Sequence, residues 1–170
     1  MQAKTEHTAT ELLLRYDELL PFAKIIGIEM VELAKPMGFA SNNYFYDAKQ
    51  KEIRLKRKIC IELERLDAIK KYVGEEDYAT AMQELRLPAE DREDPRKTAR
   101  ITWKEAEQIL KLSGIKGKRL AEALKVSGTT VYRYFKWYSR RLVPLRDFHA
   151  FKKLVGEANF NRALGIVRKH

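Results

Sequence analysis

Apolar residues in the first half of the chain recur at the three- and four-residue spacing of an amphipathic helix. The first series follows a helix-starting signal at residues 8–11 and consists of Leu12, Leu13, Tyr16, Leu19 and Leu20. Pro21 starts or kinks the next segment, and residues 22–34 are predicted to form a second helix that weakens at Gly27. Residues 41–47 are the stretch of this half that could form a short strand or a turn.

A long, charged amphipathic helix is predicted over residues 48–73. Its apolar positions fall near heptad spacing and are Leu55, Ile59, Leu63, Leu66 and Val73, with Ile69 beside them. Gly74 is expected to end the helix. The stripe is equally compatible with a coiled-coil-like dimer seam and with one helix of an ordinary helical bundle. In the first case the candidate dimerisation residues are Leu55, Ile59, Leu63 and Leu66.

The charge of the chain changes sign near residue 95. Residues 1–95 hold 15 Lys/Arg and 19 Asp/Glu, a net charge of −4, whereas residues 96–170 hold 19 and 5, a net charge of +14. A basic segment of this kind repels itself unless a polyanion neutralises it, and it indicates a nucleic-acid binder. Charge alone also leaves open a merely basic protein, or one bound to an acidic membrane surface.

The change of sign coincides with a polar, acidic, proline-bounded stretch, residues 88–95, which is typical of a linker. A short helix over residues 75–87 precedes it. The sequence therefore predicts a helical N-terminal region for oligomerisation or partner binding at 1–87, a linker at 88–99 and a basic domain at 100–170.

Composition bounds the setting of the protein. Of the 170 residues, 45% are hydrophobic and 34% are charged, which allows a real core inside a well-solvated surface. The single cysteine, Cys60, excludes an internal disulfide framework and fits a reducing compartment. No apolar run approaches the roughly 18 residues of a membrane span. We therefore expect a cytoplasmic protein with no membrane partner and no signal peptide.

Capping signals mark the first helices of the basic half. Thr102 precedes an apolar-periodic segment and is followed three residues later by Glu105, a capping box that predicts a helix over residues 103–112. A second short helix is predicted over residues 118–125. Ser127 is placed to cap a third helix, since a serine side chain can accept from a free backbone N–H there.

The aromatic-rich stretch after Ser127 resembles a strand by residue type, but its spacing is helical. Its apolar residues lie at i, i+3, i+4 and i+7 and are Val131, Tyr134, Phe135 and Tyr138. If the stretch were a strand, alternate residues would lie on opposite faces, and neither face would be cleanly apolar. A helix is therefore predicted. The opposite face carries Thr129, Tyr132, Arg133 and Lys136, whose hydroxyl, guanidinium and ammonium groups suit base edges and phosphates.

The segment GKRLAEALKVSGTTVYRYFK, residues 117–136, resembles the helix-turn-helix of the lambda-repressor/Cro-like (XRE) family. The small and apolar positions of that motif are filled here by Leu120, Ala121, Leu124, Val126, Val131 and Tyr134. Residues 139–144, SRRLVP, resemble the basic segment and proline that precede the fourth helix of the family. The resemblance covers about residues 100–170 and implies an all-α, five-helix domain, with its last helices at 144–154 and 157–167.

One position departs from the family pattern. The turn residue that is usually glycine is Lys125 here. Either the lysine accepts a left-handed backbone conformation at some cost, or the turn has another shape.

The resemblance implies that the second helix of the motif inserts its N-terminal residues into the major groove of double-stranded DNA. The implied base-reading residues are Ser127, Gly128, Thr129, Thr130, Tyr132, Arg133 and Lys136. Arg133 is the candidate for a bidentate guanine contact. The candidate phosphate contacts are Lys116, Lys118, Arg119, Arg140 and Arg141, some of which are expected to be ordinary solvated charges. Trp137 and Tyr138 are expected in the core or at the phosphate edge, with stacking on unpaired bases as the alternative.

No catalytic or metal-binding signature accompanies the motif. The three histidines, His7, His149 and His170, do not share ligand spacing, and Cys60 has no cysteine partner. The glycines of residues 114–118 lack the pattern of a phosphate-binding loop. We therefore expect no enzymatic activity, no metal and no cofactor.

The patterns and the resemblance together predict an all-α protein that binds double-stranded DNA as a homodimer or other homo-oligomer, and the resemblance implies that it is a transcriptional regulator. The family implies a bacterium or a mobile element such as a phage or plasmid, with a cytoplasmic or nucleoid-associated location. Two alternatives stay open. One is a phage DNA-packaging or architectural factor similar to a small terminase subunit. The other is an antitoxin or anti-repressor whose residues 1–95 hold a protein partner. The acidic first half could also fold back and inhibit the basic half.

Overall fold

The structure, a computed structural model, describes residues 13–54 and 60–169, with the side chains of residues 48, 49 and 51–54 left out. The α-helices within these ranges are α1 (Leu19–Ile26), α2 (Asn42–Arg54), α3 (Leu63–Val73), α4 (Glu75–Leu85), α5 (Trp103–Ser113), α6 (Gly117–Leu124), α7 (Gly128–Trp137), α8 (Leu145–Val155) and α9 (Glu157–Lys169). The described residues contain no β-strand and only two isolated bridges, Arg15–Cys60 and Thr102–Leu142. The all-α class is confirmed.

The chain divides into two compact units, Met1–Pro88 and Ala89–His170. The first contains α1 to α4 and the second contains α5 to α9. Met1–Pro88 holds 14 Lys/Arg and 15 Asp/Glu, a net charge of −1, and Ala89–His170 holds 20 and 9, a net charge of +11. The excess positive charge of the protein therefore belongs to the second unit. Within the described ranges, no helix combines the length and the apolar character that crossing a membrane requires.

The second helix predicted for the first unit is shorter than expected. Pro21 lies in the first turn of α1, where a missing backbone N–H costs nothing. Gly27 ends this helix in a left-handed conformation with φ of 92°. A separate 3-10 helix, Met30–Leu33, follows. The predicted helix over 22–34 is thus two short elements, because the weak point at Gly27 is a helix end.

Residues 41–47 are expected as a strand or turn, but residues 42–47 form the start of α2 and Ser41 directly precedes it. The Ser41 carbonyl accepts from the Phe45 N–H (3.2 Å), and the Ser41 side chain accepts from the Tyr44 N–H (3.4 Å). Phe45 is fully buried and packs edge-on against Phe39 at 5.4 Å between ring centroids. The serine start signal and the burial of this ring favour a helix over the strand preference of the aromatic residues.

The single helix predicted over residues 48–73 is wrong. Residues 60–62 are not helical. Cys60 forms an isolated bridge with Arg15, and the Ile61 N–H donates to the Leu14 carbonyl at 2.8 Å. Ile61 and Leu14 are both fully buried, so this contact holds the residues directly before α3 against the core.

The candidate dimer seam does not form one exposed stripe in the described residues. Leu55 and Ile59 lie outside the described residues. Leu63 begins α3 and is 68% exposed, whereas Leu66 is 2% exposed and packs inside the unit. Leu66 is therefore a core residue, and dimerisation through Leu63 stays a prediction.

The segment expected as a linker folds against the second unit. It contains a 3-10 helix, Ala89–Asp91, and its Thr98 is buried. The guanidinium of Arg168 on α9 donates to the carbonyl of Pro95 (3.1 Å) and to that of Arg100 (3.3 Å). Residues 89–99 are thus attached to the C-terminal helix of their own unit.

The helices predicted for the basic half are present. The capping box of α5 is formed as expected: the Glu105 N–H donates to Thr102 Oγ1 (3.2 Å), and the Thr102 N–H donates to Glu105 Oε2 (2.9 Å). Phe160 of α9 packs edge-on against Phe148 and Phe151 of α8, with centroids 5.6 and 6.1 Å apart. These aromatic contacts form one end of the core of the second unit.

Candidate nucleic-acid interface

Helices α6 and α7 are joined by a three-residue turn over residues 125–127. Lys125 has φ of 57° and ψ of 42°, a left-handed conformation, and it is the one non-glycine residue with positive φ among the described residues. The N–H of Val126 donates to the Ala121 carbonyl at 3.0 Å and closes the end of α6. The lysine therefore adopts the backbone shape that glycine would provide, and the first of the two alternatives for this turn is confirmed.

Lys125→Gly is expected to stabilise the protein by about 0.5–1 kcal/mol. Glycine has no Cβ, so it adopts the left-handed backbone conformation without the steric cost that lysine has there. Glu122→Gly, at an exposed position inside α6, is the matched control and should destabilise by about 1 kcal/mol. Urea unfolding of the full chain measures both. A loss of stability in Lys125→Gly would show that the turn does not hold this conformation.

The N-terminus of α7 is fixed by two of the predicted reading residues. Ser127 Oγ accepts from the Thr130 N–H at 3.2 Å, so the predicted cap is confirmed. The two hydroxyl oxygens, Ser127 Oγ and Thr130 Oγ1, also lie 2.9 Å apart. Both side chains are therefore engaged in positioning the helix, while Gly128 and Thr129 beside them are exposed.

The outer face of α7 is polar, basic and free of acidic residues. Thr129, Tyr132, Arg133 and Lys136 are exposed, and Val131 on the opposite face is buried. The Lys136 ammonium donates to the Tyr132 hydroxyl at 2.9 Å. Within the described part of the chain, the Arg133 side chain has no hydrogen bond or ion pair. Its guanidinium donors are all free for a ligand.

The buried side of α7 rests on an aromatic contact that the sequence did not reveal. Tyr134 stacks on Trp103 of α5, with centroids 4.4 Å apart and an interplanar angle of 18°. Phe135 meets the same indole edge-on at 6.3 Å. Burial, and secondarily the charge of Asp147, raises the pKa of Tyr134 above its ordinary value. The shift makes ionisation of this phenol still less favourable than in an ordinary tyrosine.

The six positions that carry the family resemblance differ in burial. Leu120, Ala121 and Val131 are buried where α6 meets α7. Leu124, Val126 and Tyr134 are half-buried. A small residue at 121 lets the two helices approach closely.

The chain that leaves α7 is tied to the start of α5 by backbone hydrogen bonds. The Trp103 N–H donates to the Arg141 carbonyl (3.0 Å), and the Lys104 N–H donates to the Ser139 carbonyl (2.8 Å). The Val143 N–H donates to the Ile101 carbonyl at 2.7 Å. The first two bonds satisfy N–H groups that the first turn of α5 leaves free. All three bonds attach residues 139–143, which follow α7, to the start of α5 and the residue before it.

The candidate phosphate contacts are all exposed. Lys116, Lys118 and Arg119 lie at the start of α6, and Arg140 and Arg141 follow α7 directly. The Arg141 guanidinium also lies 4.2 Å from the ring centroid of Tyr138. In α6 and α7 together, Glu122 is the one acidic residue. The cations around the turn therefore stay largely uncompensated.

Trp137 is not a core residue. Its side chain is 70% exposed, whereas the other tryptophan, Trp103, is 3% exposed. Tyr138, which directly follows α7, is also exposed. Trp137 and Tyr138 were expected in the core or at the phosphate edge, and the core is therefore excluded for Trp137.

No group of three or more His, Cys, Asp or Glu side chains that could hold a metal ion occurs among residues 13–54 and 60–169. His7 and His170 lie outside these ranges, and His149 and Cys60 are exposed.

The candidate surface consists of the exposed face of α7 and the cations that precede and follow this turn and helix. No family model, no curated protein and no solved structure matches this chain.

Proposed function

We propose that the protein is a sequence-specific transcriptional regulator that binds double-stranded DNA through a helix-turn-helix formed by α6 and α7. In this proposal α5 to α9 make a five-helix domain of the lambda-repressor type. The observation that carries it is the exposed, acid-free face of α7, on which Arg133 presents an unengaged guanidinium. The net charge of +11 on Ala89–His170 supports the same proposal.

The major groove is wide enough to admit an α-helix, and each base pair presents a distinct pattern of donors and acceptors there. The Ser127 cap orients the first turn of α7, so that Gly128 and Thr129 can approach base edges. Arg133 follows one turn later and offers two parallel donors to the O6 and N7 atoms of guanine. The cations before α6 and after α7 bind phosphates and set the register of the helix on the duplex.

The first unit supplies homodimerisation or a partner surface in this proposal. A dimer would place two copies of α7 on half-sites about one helical turn apart. An operator with two-fold symmetry follows from that geometry.

Arg133→Ala is expected to abolish one base preference, at a cost of about 1–3 kcal/mol of discrimination against the wrong base. The test measures equilibrium binding of the full chain to its preferred duplex and to single-base-pair variants of it. Arg162→Ala removes another exposed arginine, from α9, and is the matched control, which should keep every preference. Identical preferences in the wild type and Arg133→Ala would remove Arg133 from the reading face.

A further inference from the structure

The exposed face of α7 and the residue after it carry large aromatic rings that the core does not use. Trp137 is 70% exposed and Tyr132 is 57% exposed. Tyr138, at the helix end, is 36% exposed. Exposed tryptophan is uncommon because the indole buries more apolar area than most side chains when it packs. These rings are therefore available to a ligand.

Each ring has a cation beside it. The Lys136 ammonium lies 5.2 Å from the ring centroid of Tyr132 and 5.6 Å from that of Trp137. The Arg141 guanidinium lies 4.2 Å from the ring centroid of Tyr138. We call these five residues, Tyr132, Lys136, Trp137, Tyr138 and Arg141, the aromatic–cation cluster. It combines π-faces with positive charge and contains no carboxylate.

A nucleotide with an unstacked base matches both features. Its base offers a π-face to an aromatic ring, and its phosphate offers a negative charge to a lysine or arginine. Base pairs inside a duplex present only their edges to a groove, because their faces are covered by the neighbouring pairs. The indole face of Trp137 therefore needs a base whose face is uncovered, which single-stranded DNA offers at every nucleotide.

We propose that the aromatic–cation cluster binds single-stranded DNA by stacking a base on the Trp137 indole, with Lys136 and Arg141 on the adjoining phosphates. The helical spacing places Trp137 four residues after Arg133, at the edge of the same exposed face. This is a second mode of nucleic-acid binding. It does not require that the protein read a duplex sequence.

The test compares two labelled oligomers of about 12 nucleotides, an oligothymidylate and an abasic oligomer with the same phosphates. Fluorescence anisotropy with the full-length protein measures both affinities. The wild type is expected to bind the oligothymidylate about tenfold more tightly, since stacking adds to an equal electrostatic term. In Trp137→Ala the oligothymidylate affinity should fall to that of the abasic oligomer. Trp137→Phe should keep most of the preference, and Arg162→Ala should keep all of it.

Intrinsic fluorescence gives an independent readout, because Trp103 is buried and Trp137 is exposed. The oligothymidylate should quench the emission of the wild type, the abasic oligomer should not, and the quenching should be absent in Trp137→Phe. Equal affinity of the wild type for the two oligomers would overturn the proposal. So would a base preference that persists in Trp137→Ala, or the absence of binding to either oligomer. A loss of duplex specificity in Arg133→Ala bears on the proposed function alone.

Discussion

Replacing Trp103 with alanine is expected to lower the free energy of unfolding of the second unit by about 3–5 kcal/mol. The indole is almost fully buried and stacks on Tyr134 of α7. Phe135 packs against its edge. The backbone N–H of Trp103 also donates to the Arg141 carbonyl. The residue therefore joins the start of α5 to α7 and to the segment that follows α7. Alanine would leave a large cavity where these segments meet.

Trp137→Ala is the matched control, since it removes the same side chain from an exposed position. Its effect on stability should stay within about 0.5 kcal/mol. Urea unfolding of each full-length variant, followed by far-ultraviolet circular dichroism, measures the difference. Equal losses in the two variants would contradict the packing of Trp103 between α5 and α7.

DNA binding is expected to weaken steeply as salt concentration rises. If Lys116, Lys118, Arg119, Arg140 and Arg141 each neutralise one phosphate, the logarithm of the binding constant should fall against that of the salt concentration with a slope of about −4.5 per protomer. Raising the salt from about 50 to about 200 mM would then lower the affinity roughly 500-fold for each protomer bound. Titrations of a labelled duplex at several salt concentrations give the slope directly.

Single variants assign the slope to individual residues. Arg140→Ala should make the slope shallower by about one, because one phosphate contact is lost. Arg162→Ala on α9 carries the same change of charge and should leave the slope as in the wild type. A slope near zero for the wild type would show that these exposed cations do not contact phosphates.

Local signals in the sequence were sufficient where a single side chain determines a helix end. Thr102 with Glu105, and Ser127 with the N–H of Thr130, form the caps expected of them. The helical spacing of the apolar residues that begin at Val131, with polar residues on the opposite face, also predicted the helix α7 correctly, although its residue types favour a strand. In each case the interacting groups lie within one or two helical turns of one another.

Contacts between distant segments were not predictable in this way. The heptad-like spacing over residues 48–73 is the same whether or not the helix continues. At residues 60–62 it does not continue, and there the Ile61 N–H bonds to the carbonyl of Leu14, a residue far back in the chain. Periodicity likewise places Leu63 and Leu66 on one stripe, but tertiary packing buries the second and exposes the first.

The same distinction applies to the candidate interface. The exposed face of α7 could be derived from its period, and the left-handed turn at Lys125 was one of two expected outcomes. The stacking of Tyr134 on Trp103 could not be derived from the sequence, because an aromatic side chain at either position could pack equally well against several other residues of the core. The exposure of Trp137 also depends on which rings fill the core, and Trp103 takes that role.

Selection from a random duplex library, with the full-length protein at about 150 mM salt, tests sequence-specific DNA binding through α7 most directly. We expect an enriched two-fold symmetric site with a guanine in each half-site, and the loss of that guanine preference in Arg133→Ala. Binding without any enrichment would contradict it and favour an architectural or packaging role. The absence of binding would contradict it as well and favour a role in protein interaction.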